Sequence, residues 1–150
     1  GTFIERADNT IRTIGAKHHR LLPTAKVIGG SEDQSQWEVM LRSLAAWRSF
    51  NWLNKGQLDP LSVADFLIFD ERMPRSINFC YKEVTSNLED LSNSYRRNYK
   101  SLDMAREICL GLTCGRSKNI QKFDLRNFIN DYIWKNSQLS LTIASDFNLN

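Results

Sequence analysis

Apolar side chains recur every three or four residues through most of this chain, a period that builds helices and leaves little room for strands. The pattern opens with Ile4, Ala7, Ile11, Ile14, His18 and Leu21. It closes with Phe128, Ile129, Tyr132, Ile133, Leu139, Ile143 and Phe147 on a helix expected from about Asp124 to Phe147. No segment alternates with the period of two that marks a half-buried strand, so the fold class is all-α.

Three prolines and a few glycines punctuate the pattern. Pro23 ends the first helix, which is already in phase at Phe3 and Ile4 with no capping residue ahead of it and so reads as starting upstream of Gly1. Val27 to Ser31 reads as a loop, with Ser31 or Asp33 capping a second helix that carries Trp37, Met40, Leu41, Leu44, Ala45 and Trp47 to about Phe50. Trp52 and Leu53 continue or bend that helix, and Gly56 caps it. Asp59-Pro60 starts a short helix with Leu61, Ala64, Phe66, Leu67 and Phe69. Pro74 starts a longer one with Ile77, Cys80, Tyr81, Val84, Leu88 and Leu91 inward. Past Ser92-Asn93-Ser94, another helix is expected from about Tyr99 to Cys114, stopping at Gly115. The architecture expected is an antiparallel bundle of about five to seven helices with short loops.

At 150 residues the chain reads as one domain, long enough to bury its core without disulfide or metal staples. Hydrophobic residues at 41% and charged residues at 25% argue against a long disordered tail. Twenty basic and 17 acidic residues leave a net charge of +3, too close to balance to demand nucleic acid. The basic clusters Arg96-Arg97 with Lys100, and Arg116-Ser117-Lys118 with Lys122, sit near expected helix ends and read as solvated faces or complements to the helix dipole. Cys80, Cys109 and Cys114 form no paired framework and read as buried thiols of a reducing compartment. With only His18 and His19 to join them, no zinc spacing appears, and no metal or cofactor is expected. Neither a membrane span nor a signal peptide is legible, so the reading is cytoplasmic.

Two polar constellations could carry chemistry. In the first helix Glu5-Arg6 lies beside the apolar seam, followed by Asp8, Asn9 and Arg12, and Glu5, Asn9 and Arg12 share one surface strip. Position alone favours a flanking, structural role, because such pairs on helices are common and individually weak. The second is Asp70 ahead of Pro74-Arg75-Ser76, where free N–H groups at a helix start, with Arg75, could hold a carboxylate or phosphate. Its plainer reading is a local cap or pair at Asp70 and a structural tie at Arg75. No hydrolase triad or phosphate-cradling glycine loop accompanies them. Trp37, Trp47 and Trp52, at helical spacings, read as core rather than as a base-stacking platform.

The run Phe3-Ile4-Glu5-Arg6-Ala7-Asp8-Asn9-Thr10, then Lys17-His18-His19 and Leu21-Leu22-Pro23, resembles the alpha-E family, bacterial helical proteins named for a Glu-Arg motif. Gln36-Trp37 with Leu41-Arg42-Ser43, Val63-Ala64-Asp65-Phe66-Leu67, and Met73-Pro74-Arg75-Ser76 with Cys80 follow in that family's order. The resemblance covers nearly the whole chain, looks like the C-terminal half of a full-length member, and is loosest from Ser92 to Asn119.

What the resemblance implies is a helical protein encoded beside, or fused to, ATP-grasp-type ligase-like proteins and transglutaminase-like peptidases, with a role in making or modifying peptides. It places the named motif on Glu5 and Arg6 and a second polar motif on Asp70, Pro74, Arg75 and Ser76. Two functions follow as expectations. One is an accessory module, not an enzyme alone, that docks an ATP-grasp partner through an exposed apolar patch. The other is a ligand-binding or catalytic domain in which Glu5 and Arg6 meet Asp70 and Arg75 in one pocket. Self-association stays open, and nucleic-acid binding is a minor third option.

Overall fold

The computed structural model describes residues 2–21, 31–54, 60–117 and 124–148, by backbone alone at 17–21, 31–36, 54, 60–62, 114–117 and 124–126. Seven helices and no strand occur among them, confirming the all-α bundle. They are α1 (Thr2–Leu21), α2 (Ser31–Ser43), α3 (Trp47–Asn54), α4 (Pro60–Phe69), α5 (Ile77–Tyr95), α6 (Lys100–Ser117) and α7 (Asp124–Asp146). None is long and apolar enough to cross a membrane among the described residues.

Four long helices form a ring in which α1 packs on α5, α5 on α6, α6 on α7, and α7 back on α1. Each neighbouring pair is antiparallel. Thr10 meets Arg75 while Phe3 meets Phe79. Thr85 meets Cys109 while Glu89 meets Arg106. Ser101 meets Asp146 while Gly111 lies under the Tyr132 hydroxyl. Ile4 meets Asn136, and a Cβ at Gly15 would come within 3.1 Å of Ile129 Cγ2, so α1 and α7 approach closely there.

The shared interior holds Ala7, Ile11 and Ile14 from α1, Tyr81 and Val84 from α5, Ala105 and Ile108 from α6, and Ile129, Tyr132 and Leu139 from α7. Burial of this one face per helix is what holds helices together that would be marginal in isolation. A buried polar link crosses the ring. Tyr81 Oη donates to Asn136 Oδ1 at 2.6 Å, and Asn136 Nδ2 donates to the Ile4 carbonyl at 3.4 Å, joining three helices.

The apolar helix α4 caps one end of the ring, with Phe66 edge-on to Phe50 of α3 and Phe69 against Phe128 of α7. Asn78 Nδ2 donates to the Phe69 carbonyl at 3.1 Å, a buried bond that ties the end of α4 to the start of α5. At the opposite end Asp146 Oδ2 accepts from the Ser101 amide at 2.8 Å, so the tail of α7 caps the first turn of α6. Tyr99 packs on Phe147 beside it.

Several boundaries differ from expectation, each for a local reason. The second helix is two helices. The Ala46 amide donates to the Leu41 carbonyl and the Ala45 amide to that of Arg42, the paired bonds of a Schellman turn, with Ala45 in the left-handed region at φ 54°. The same turn ends α5, which runs through Ser92-Asn93-Ser94 to Tyr95, with Arg96 left-handed at φ 50°. Nothing past Leu88 on α5 is buried, so Leu91 is exposed rather than inward. α5 begins at Ile77 behind the cap Ser76, not at Pro74, and α6 continues through Gly115 to Ser117. Trp37 is buried and Trp47 half-buried under Arg42, but Trp52 is 84% exposed, because α3 turns Phe50 and Leu53 inward and Trp52 outward. Pro60 opens α4 as expected, whereas the stops at Pro23 and Gly56, the loop before Ser31 and the Asp59 cap lie outside the described residues.

Ala45 is exposed and occupies a position that glycine fills at no steric cost. Ala45→Gly is expected to stabilise the domain by about 0.5–1 kcal/mol, read as a higher midpoint in urea unfolding. A lower midpoint would show that the turn owes nothing to the left-handed residue.

Candidate functional site

The Pro74-Arg75-Ser76 turn is held from three sides. Ser76, fully buried, donates from Oγ to the Asp70 carbonyl at 2.6 Å and accepts from the Phe79 amide at 3.1 Å. Its own amide donates to the Met73 carbonyl. Thr10 Oγ1 reaches across from α1 to donate to the Arg75 carbonyl at 2.8 Å, and the Cys80 thiol lies 3.7 Å from the Pro74 carbonyl. Ser76 is therefore a structural N-cap, its hydroxyl fully engaged.

Arg6 lies on the α1 side of this turn, half-buried, with its guanidinium 5.3 Å from the centroid of Phe3. Phe3 in turn packs against Phe79, with ring centroids 6.3 Å apart. Arg75 is half-buried as well. Neither arginine is in a salt bridge among the described residues. Both act on the same group: burial pushes the Cys80 thiol up to about 11, while the charges of Arg6 and Arg75 pull it down and Glu83 pushes it up. The thiol is thus protonated at neutral pH and no nucleophile.

The other expected site residues stand apart from this pair. Glu5 is exposed on α1. Arg12 turns to Asp8 at 2.9 Å, an open i,i+4 surface pair that leaves neither group in the corner and contributes little stability. Asp70 is gripped by Arg72, which donates from Nη2 at 2.8 Å and from Nε and its own amide as well. Glu71 pairs with Lys82. Arg6 and Arg75 thus share an influence on the Cys80 thiol, without Glu5 and with the Asp70 carboxylate engaged by Arg72. An acid and a base facing one another is not what forms here. Arg6 lies over the Phe3 ring on α1, and Arg75 stands in the turn ahead of α5.

The sequence reading missed Thr10, Phe3, Phe79 and Cys80 as members of this corner. The signal for Thr10 was visible: it falls on the buried face between Ala7 and Ile14, where a hydroxyl needs a partner. It also missed Asn136 as a buried polar residue and Tyr81 as its partner, taking Tyr81 only as core. Cys80 and Cys109 are free thiols, the first buried and the second half-buried beside Thr85, while the side chain of Cys114 lies outside the described residues. No cluster of three or more metal-ligating side chains occurs among the described residues. The basic cluster at the α5–α6 turn holds Arg96 as the left-handed cap and Arg97 over the ring of Tyr99, and the side chains of the second cluster are outside the described residues.

No curated protein and no solved structure matches the chain. One family model does, over residues 1–147: Alpha-E, described as a predicted alpha-helical domain with a conserved ER motif. Glu-Arg stands at two places in this sequence, Glu5-Arg6 on α1 and Glu71-Arg72 in the turn before α5. With nearly its whole length matched by that model and an all-helical fold to go with it, the chain belongs to the Alpha-E family.

Proposed function

We propose that this domain is a docking module for an ATP-grasp-type ligase-like protein of the bacterial cytoplasm, and not an enzyme in its own right. The observation that carries docking is the outer face of α7. Trp134 is 62% exposed and Leu141 65% exposed, seven residues apart and so in one stripe. Asn130, Ser137, Gln138 and Ser145 flank that stripe, and the Asp131–Lys135 ion pair stands at its edge. Interface cores are rich in tryptophan and depleted of charge, with polar and charged residues at the rim. The family resemblance supplies the partner, and a reducing compartment suits the free thiols of Cys80 and Cys109.

Mixing the purified domain with the ATP-grasp protein encoded beside it tests this reading. Titration calorimetry should show a complex, and Trp134→Ala with Leu141→Ser should weaken it tenfold or more, about 1.4 kcal/mol or above. Absence of a complex, or one indifferent to both substitutions, overturns the reading. The alternative, a ligand-binding or catalytic domain built on Glu5, Arg6, Asp70 and Arg75, retains one observation in its favour, the influence of both Arg6 and Arg75 on the Cys80 thiol.

A further inference from the structure

We infer that an amphipathic helix of a partner protein packs in the groove between the second halves of α5 and α7, in line with α1 and with its own N-terminus toward the α5–α6 turn. The inference stands apart from the docking reading, since Ile143 and Phe147 of α7 pack toward the core while Trp134 and Leu141 face outward.

Three observations carry it. The ring has four helices at one end and three at the other. α1 meets α5 where Phe3 packs on Phe79, and it meets α7 where the Ile4 carbonyl accepts from Asn136. Past those contacts α5 continues to Tyr95, roughly 24 Å of helix, and α7 to Asp146, roughly 15 Å, while only Thr2 of α1 lies further that way among the described residues. The backbones of α5 and α7 do not close on one another, so the fourth place in the ring stays open as a groove.

Burial marks the same place. On α5, Val84, Leu88, Leu91 and Tyr95 follow one another on one stripe, yet exposure climbs from 6% and 4% to 38% and 65% past the reach of α1. On α7, Asn136 and Leu139 are buried, whereas Ile143 and Phe147, next on their stripe, are half-buried. Leu102 and Ala105 of α6 stand at that level, as the Arg106–Glu89 and Ser101–Asp146 contacts show, and both are buried. Exposure is thus confined to the two helices that flank the place of α1 and spares the one diagonal to it. Apolar side chains lining a helix-wide groove are what the apolar stripe of an arriving helix packs against.

Charge supplies the direction. From Leu91 to Leu102 no acid occurs, while Arg96, Arg97 and Lys100 are exposed and outside any salt bridge among the described residues. The Arg97 guanidinium lies 5.7 Å from the centroid of Tyr99, and Tyr99 packs on Phe147 at 4.4 Å, which puts this cation at the mouth of the groove. A helix in line with α1 presents its first turn there, where Asp or Glu is favoured both by the helix dipole and by Arg97. A bilayer would engage a protruding apolar tip. Here the apolar side chains lie between two helices, which favours a helix as the occupant.

The probe is a synthetic amphipathic peptide of about 18 residues with leucine along one stripe and glutamate in its first turn, compared with a second peptide carrying lysine in that turn. Fluorescence anisotropy should show saturable binding of the glutamate peptide, at least tenfold tighter than that of the lysine peptide. A spin label on its N-terminus should broaden the amide signals of Arg97 and Asn148 and spare that of Arg75. Leu91→Ser with Tyr95→Ser should weaken binding tenfold or more while leaving the helical circular dichroism unchanged, and Arg97→Glu should reverse the order of the two peptides. Leu110→Ser, exposed on α6, and Trp134→Ala should leave binding intact, so this inference and the docking reading fail separately. No saturable binding, binding indifferent to the Leu91 and Tyr95 substitutions, or broadening at Arg75 instead of Arg97 overturns the assignment. So does a dimer of the domain in sedimentation that those two substitutions dissociate, which would make a second copy the occupant, or capture by phosphatidylglycerol vesicles that they abolish.

Discussion

Asn136→Ala is expected to cost about 2–4 kcal/mol of folding free energy, a large share of the 5–15 kcal/mol typical of a domain. Asn136 and Tyr81 are both buried at the centre of the ring, where the amide accepts from the phenol at 2.6 Å and donates to a carbonyl of α1. Truncating the amide leaves the phenol O–H without that acceptor in a place water does not reach, and it opens a small cavity as well. Tyr81→Phe should cost less, about 1–2 kcal/mol, because the remaining amide keeps its bond to α1. The double variant should fall short of the sum by at least about 0.5 kcal/mol, as expected of partners in one network. Urea unfolding of the four proteins supplies all three numbers, with the midpoint moving and the slope constant. An Asn136→Ala loss below about 1 kcal/mol would mean that the link contributes nothing beyond its packing.

The second large effect falls on the cap of α5. Ser76→Ala removes both the cap on the Phe79 amide and the buried bond to the Asp70 carbonyl. A loss of about 2 kcal/mol is expected, or a melting temperature lower by roughly 4–8 °C for a chain of this size. Arg75→Gln, next to it but half-exposed and outside any salt bridge among the described residues, should move stability by less than about 0.5 kcal/mol. Equal thermal shifts for the two variants would make the Arg75 side chain a structural tie as well.

The candidate site was partly legible before the fold was known. Arg6, Arg75 and Ser76 stood out because an arginine beside an apolar seam, or in the turn ahead of a helix, has few comfortable places to go. Their division of labour was not legible. Asp70 and Arg72 lie two residues apart in a turn, and only the turn's geometry turns that spacing into three hydrogen bonds that occupy the carboxylate. Glu5 and Asp8 were grouped with Arg6 by sequence proximity. Successive helical residues point about a quarter-turn or more apart, so Glu5 faces solvent and Asp8 takes Arg12 while Arg6 turns to Phe3.

Periodicity by itself determined that the chain is helical, the inward apolar positions of α1 from Ile4 to Ile14 and of α7, and that Pro60 opens a helix, because these depend on side-chain spacing and backbone chemistry within one segment; the side chains of His18 and Leu21 lie outside the described residues. Tertiary structure alone decided where α2 breaks from α3 and how far α5 runs. Neither break is marked by glycine or proline. Ala45 and Arg96 take left-handed conformations that their side chains disfavour, and in the first case burial of Leu44, Ala46 and Phe50 on either side offsets that cost. The meeting of Thr10 with the Arg75 carbonyl, and of Tyr81 with Asn136, belongs to the same category. Each joins residues more than fifty positions apart in the chain, and contact at that separation exists only once the antiparallel ring has closed.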